Sequence, residues 1–248
     1  MLKKIYFSFI LSSASCFSGC FDGGKDVIPP RSVYEFPYDK LWAHRVNTAA
    51  EANELLKTFN GIELDVYYFD DAHKFEIEHD TAIRRPFESF LDSIDNPSQH
   101  YYWIDFKNLN KFDVQVSLNE LKRLITKYHL EKRIIVESDK AEYLASFVCE
   151  EIYTCYWIDR IYTFIPYLAE YKHAKNIRAE LAAYHFDALS CSYKMNGFFQ
   201  RYFKNYNILL WTDELSEETD VNVIRKLAAF KNVKVILTDS RVNFLRMH

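Results

Sequence analysis

Gly61-Ile62-Glu63-Leu64-Asp65-Val66-Tyr67 is an apolar run broken by two acids. Its β-branched and aromatic residues, followed by Asp70-Asp71, read as a strand. A strand's period of two puts Glu63 and Asp65 on one face and Ile62, Leu64 and Val66 on the other. Unpaired carboxylates inside so apolar a strand are costly, so the acidic face reads as functional. Working outward, seven further runs share this character: Leu41-Trp42-Ala43-His44, 101–106, 133–137, 153–158, 187–190, 208–211 and 233–237. Helical patterns separate them, over 49–59, 86–94, 114–128, 140–151, 165–183, 196–206 and 217–230, and an extra strand-like piece occupies 74–79. Strands and helices in succession imply βαβ units and a parallel sheet. Eight such units in about 200 residues predict an α/β fold, a (β/α)8 TIM barrel. The structural alternative, an open doubly wound sheet, lacks its usual glycine-rich turn after the first strand.

Composition narrows the function classes. The chain has 248 residues, 49% hydrophobic and 27% charged, too apolar for disorder. Its formal charge is −4 and its Lys and Arg are scattered, which excludes a nucleic-acid groove. No feature calls for a protein partner.

The N-terminus runs from Lys3-Lys4 through an apolar stretch, Ile5 to Leu11, to Phe17-Ser18-Gly19-Cys20. That order is a secretory signal over residues 1–19. Its ending resembles a bacterial lipobox, with Cys20 as the acylated first residue of the mature chain. The alternative is a plain signal peptide with Cys20 incidental. Residues 20–37, with Gly23, Gly24, Pro29 and Pro30, read as a tether, and 38–248 as one domain. The expected location is the cell envelope, lipid-anchored. Cys149, Cys155 and Cys191 are an odd set that reads as small buried hydrophobes.

A parallel barrel carries its chemistry at the C-terminal ends of its strands. There the first run ends His44-Arg45, the second carries Glu63 and Asp65, and the third ends Asp105-Phe106-Lys107; His79-Asp80 closes the extra piece. Three carboxylates from adjacent strands form a hard oxygen set suited to Ca²⁺ or Mg²⁺. His44 and His79 are candidates for general acid and base. Arg45 and Lys107 suit a phosphate. Together they describe metal-assisted phosphoryl transfer on a small molecule. Thr48 heads a capping box with Glu51, leaving Asn47 to point toward the site. Glu137, beside Ser138, reads either as a further ligand or hydrogen-bond partner for substrate or as plain loop chemistry, and Trp211 either as a wall for an apolar or glycerol-like group or as a core residue; Tyr193 is a weaker candidate of the same kind as Trp211. Tyr101-Tyr102-Trp103 reads as a packed strand without a binding role.

His44-Arg45, Gly61 to Val66, His79-Asp80 and Ile104 to Lys107, in this order, resemble the glycerophosphodiester phosphodiesterase family of the phosphatidylinositol-phospholipase-like superfamily. Its pattern runs H-R, G-x-E-x-D-V, H-D and E-x-K. Pro86-Phe87-Glu88, Leu210-Trp211-Thr212 and Leu237-Thr238-Asp239 are similar to its P-T-L-E, v-W-T and I-T-D, so the resemblance spans Trp42 to Asp239. It implies a barrel hydrolase cleaving a phosphodiester with a divalent cation. Glu63, Asp65 and Asp105 then become metal ligands, His44 and His79 the acid–base pair, and Arg45 and Lys107 phosphate contacts. Three departures stand out: Val46 replaces a glycine and the first loop is contracted to Asn47-Thr48, Asp105 replaces a glutamate, and Ser240-Arg241 follow Thr238-Asp239 where the family commonly has proline nearby. A non-catalytic, membrane-anchored barrel that binds a phosphorylated ligand or a partner is the competing reading.

Overall fold

Eight parallel strands close on themselves in the computed structural model, which describes residues 34–78, 84–159, 167–212 and 217–239. The signal segment, Cys20 and His79 lie outside these residues. In chain order the elements are β1 (Leu41–His44), α1 (Ala49–Leu55), β2 (Gly61–Phe69), β3 (Lys74–Ile77), β4 (Arg85–Pro86), α2 (Phe87–Asp92), β5 (Tyr101–Phe106) and α3 (Val114–Tyr128). They continue with β6 (Ile134–Ser138), α4 (Ala141–Cys149), β7 (Tyr153–Trp157), α5 (Tyr167–Tyr184), β8 (Ala188–Ser192), α6 (Asn196–Tyr202), β9 (Asn207–Trp211), α7 (Glu217–Ala228) and β10 (Val233–Asp239). The barrel runs β1-β2-β5-β6-β7-β8-β9-β10, and β1 closes it by pairing with both β10 and β2.

The strict strand–helix succession is broken once. β2 pairs with β5 over Gly61–Val66 and then with antiparallel β3 over Val66–Phe69, so it overshoots the barrel rim as one arm of a hairpin. Where β5 has ended, Asn108 substitutes for a strand: its side chain accepts from the Tyr68 amide at 2.9 Å and donates to the Tyr68 carbonyl at 2.7 Å. The short β4, Arg85–Pro86, adds to β3. Proline lacks a ladder donor, which suits it to this edge.

Packing inside the barrel is set by strand parity. Gly61 lies under Trp42, whose fully buried indole a Cβ at residue 61 would approach to 2.5 Å. Glycine is therefore required there by contact, not by backbone angle. Outside, α3 lays Leu118, Leu121 and Leu124 against the sheet, an apolar stripe at helical spacing. Thr48 caps α1 as expected, accepting from the Glu51 amide at 3.2 Å. Two expectations need revision. Tyr34 and Phe36, read as tether, pack on Tyr153 with ring centroids 4.4 and 5.3 Å away, so their rings belong to the packed domain. Cys155 and Cys191 are buried thiols, but Cys149, at the end of α4, is exposed and free.

Candidate functional site

A cavity of about 250 Å³ opens at the C-terminal ends of the barrel strands. Glu63 and Asp65 enter it from β2 by the parity already noted, and Asp65 stands in register with Asp105 of β5. One carboxylate oxygen from each of the three lies within 4.8 Å of the others. Glu63 and Asp65 are only 3% and 6% exposed, burial at which a bare carboxylate is expensive. Lys107, two residues beyond Asp105 and on the same face, bridges the cluster. Its Nζ sits 2.6 Å from Asp65 Oδ1 and also pairs with Asp105.

Glu63 also organises the β1 turn. Arg45 has φ of 56°, a left-handed conformation costly for a side chain of its size, and its amide donates to Glu63 Oε2 at 2.9 Å. The Val46 amide donates to the Glu63 carbonyl at 3.0 Å. His44 Nε2 lies 3.8 Å from Glu63 Oε2, so the ring is held against the acidic cluster. Asn47 donates to the Arg45 carbonyl at 3.1 Å and braces this turn; it does not line the cavity.

The electrostatics show carboxylates crowded together in a buried site. Burial pushes the Glu63 carboxyl well above its usual range, Asp65 and Asp105 push it further, and the Arg45 amide opposes them. Asp105 rises to about 6, chiefly from burial and against the pull of Lys107. Burial disfavours the Lys107 ammonium, but Asp105 and Asp65 outweigh it and hold its charge. Glu137 is raised by burial and then by Asp105, while accepting from Trp103 Nε1 at 2.6 Å and from the Ser190 hydroxyl. Burial and like-charge crowding thus raise both Glu63 and Asp105. An all-oxygen cluster of buried, crowded carboxylates fits a hard divalent cation.

The cavity brings together His44, Arg45, Glu63, Asp65, Asp105, Lys107, Glu137 and Trp211. Asn47 and Tyr193 are not on its wall. Trp103 corrects the sequence reading: it is a cavity wall residue as well as a buried one. Trp157 and Asp159, which the sequence reading passed over, line it as well. Their signal was available, because both fall on the inward parity of the 153–158 run, just where its strand ends.

The fold and this cavity define a parallel eight-stranded barrel with an acidic cluster at its C-terminal rim. No protein-family model matches the sequence, and no curated protein is significantly similar to it. Solved structures do match. A glycerophosphodiester phosphodiesterase from Parabacteroides distasonis aligns with TM-score 0.61 and 15% identity over 81% of this chain and 92% of its own. One from Thermotoga maritima gives 0.58 and 15% over 81% and 94%. An Oleispira antarctica phosphodiesterase, solved with the product sn-glycerol-3-phosphate, gives 0.56 and 11% over 82% and 92%. The chain has the fold of the glycerophosphodiester phosphodiesterases.

Proposed function

We propose that this protein hydrolyses phosphodiesters with a divalent cation, Ca²⁺ or Mg²⁺, and that glycerophosphodiesters or related phospholipid fragments are its substrates. The observation that carries this reading is the convergence of Glu63, Asp65 and Asp105 beside Lys107 and His44. The fold shared with the phosphodiesterases above supports it. A cation held by the three carboxylates would supply positive charge to a phosphate, the Lewis-acid contribution such ions make.

The remaining steps fall to the chain's own groups. Arg45 and Lys107, both at the cavity, bind phosphate oxygens. Glu63 orients His44, whose Nε2 exchanges a proton with one of the two reacting oxygens, and His79 serves the other. Glu137, tied to Trp103 and Ser190, contacts substrate from below, and Trp211 walls the alcohol group.

The test is hydrolysis of a panel of glycerophosphodiesters with EDTA and with added Ca²⁺ or Mg²⁺. Cation-dependent release of an alcohol and glycerol phosphate is expected; absence of cleavage of every diester under both conditions overturns the reading. We further propose export and a lipid anchor at Cys20, from the segment before it. Mass spectrometry of membrane-fraction protein should find an acylated Cys20 terminus, and Cys20→Ala should abolish detergent partitioning. An unmodified N-terminus contradicts the anchor.

A further inference from the structure

The strand that carries Glu63 and Asp65 also carries a hairpin. Beyond the barrel rim, β2 pairs with antiparallel β3 on one side through Tyr67, Tyr68 and Phe69. On its other side the ladder to β5 ends where the Lys107 amide donates to the Val66 carbonyl at 3.0 Å. Past that bond the Asn108 side chain takes both backbone groups of Tyr68: Oδ1 accepts from the amide at 2.9 Å and Nδ2 donates to the carbonyl at 2.7 Å. Asn108 is pinned in turn. Its carbonyl accepts from Asn110 Nδ2 at 3.0 Å, and Asn110 Oδ1 accepts from the Phe112 amide at 2.8 Å, just ahead of α3.

Packing and this amide clamp do different things. The Tyr68 and Phe75 rings meet across the hairpin at 5.2 Å, and Phe75 meets Phe106 of β5 at 5.3 Å, so apolar contact holds the hairpin to the barrel. Such contact is non-directional and tolerates small slides. A primary amide whose donor and acceptor are both engaged by one residue has a single register. The consequence of that register falls at the far end of β3. There the Glu78 amide donates to the Asp65 carbonyl at 3.2 Å, and the next residue in the sequence is His79. Asn108 itself does not line the cavity.

We propose that Asn108 is a positioning residue: by locking β2 and β3 against the loop that follows β5, it fixes where His79 enters the site. The inference rests on the hydrolase reading, in which His79 exchanges a proton with one of the reacting oxygens. A misplacement of about 1 Å at such a group costs up to about 10²-fold in rate.

A double-mutant cycle on whichever glycerophosphodiester the protein cleaves tests it. Asn108→Ala should lower kcat by about 10- to 10²-fold and leave KM within about twofold, because the hairpin bears on proton transfer and not on phosphate binding. In a His79→Ala background the same change should cost less than about twofold, since no ring remains to be misplaced. An unchanged kcat in Asn108→Ala overturns the inference. So does an equal loss in both backgrounds, which would mean that Asn108 acts through Lys107 or through general stability.

Amide hydrogen exchange supplies a readout without activity. The Glu78 amide should exchange about tenfold faster in Asn108→Ala, an effect that reaches it only through the hairpin. Unchanged exchange at Glu78 overturns the inference. If no diester is cleaved, the hydrolase reading has failed, and exchange at Glu78 decides the lock by itself: faster exchange supports it and unchanged exchange overturns it. Asn108→Ser, which keeps at most one of the two bonds to Tyr68, replaces Asn108→Ala in both measurements if the alanine variant does not fold.

Discussion

Glu88 and Asp105 are both acids within reach of a lysine, and the protein pushes them in opposite directions. Glu88, on α2, accepts from Arg123 Nη1 and Nη2 at 2.9 and 2.7 Å and from Lys127 at 2.9 Å. Those hydrogen bonds from Arg123, then Lys127, hold its carboxyl down to about 2. Asp105, in the cavity, is lifted to about 6 by burial although Lys107 pairs with it. The surface cluster brings its own counter-charges and ties α2 to α3. The cavity cluster crowds Glu63 and Asp65 beside Asp105 with one ammonium between them. The difference teaches where to look for chemistry: not where charges are many, but where burial and crowding make them costly.

The largest effect should come from breaking the cavity cluster. Asp65→Asn or Glu63→Gln removes one of the carboxylates proposed to hold the cation and should lower kcat on any cleavable diester by at least about 10²-fold, the order seen when one preorganised charge-stabilising group is removed. The fold should persist, because Lys107 keeps Asp105 as a partner and each change relieves like-charge crowding. Circular dichroism and steady-state rates on the same samples check this; loss of activity with loss of fold would make the cluster structural.

A smaller effect separates the clusters by pH. Asp105 binds its proton more tightly in the folded protein, at about 6 against an ordinary 3.8. The folded state therefore holds more protons across that window, and this group's contribution to stability falls as pH rises from about 4 to 6. For Glu88 the sign is reversed: its contribution is present above 4.5 and is lost as pH falls toward about 2. In EDTA, melting curves from pH 4 to 6 should show wild type losing stability relative to Asp105→Asn. Parallel profiles would contradict the assignment.

The smallest effect is expected at the surface. Glu88 is 35% exposed at its side chain, so solvent screening limits the cluster's worth. Glu88→Gln should cost about 1 kcal/mol or less in chemical denaturation and leave hydrolysis unchanged.

Glu63 and Asp65 were legible because a period of two in an apolar run has no other economical reading, and Asp105 with Lys107 followed the same rule. The barrel was legible from the repeated alternation that produced those strands. β3 was visible as an extra apolar piece, whereas β4 is two residues long and contains a proline, too little pattern for any period to show. Trp103 was misread because an indole that packs and an indole that lines a cavity are the same residue in sequence; only its bond to Glu137 distinguishes them. Asp159 escaped because the run was closed at Ile158, although strand parity carries one residue further, and Trp157, inside the run, reads in sequence like any packed indole. The electrostatic crowding itself was not legible at all. It depends on Glu63, Asp65, Asp105 and Lys107 converging, a fact of three-dimensional register.

The central claim, that Glu63, Asp65 and Asp105 together hold a divalent cation, is tested most directly by thermal stability against cation concentration in EDTA-stripped protein. Ligand that binds only the folded state raises stability by RT ln(1 + [L]/Kd). Wild type should therefore melt progressively higher as Ca²⁺ or Mg²⁺ is added, while Asp65→Asn and Glu63→Gln show little or no rise. A melting temperature in the wild type that stays constant from micromolar to millimolar cation, or one that rises equally in the variants, would contradict the account.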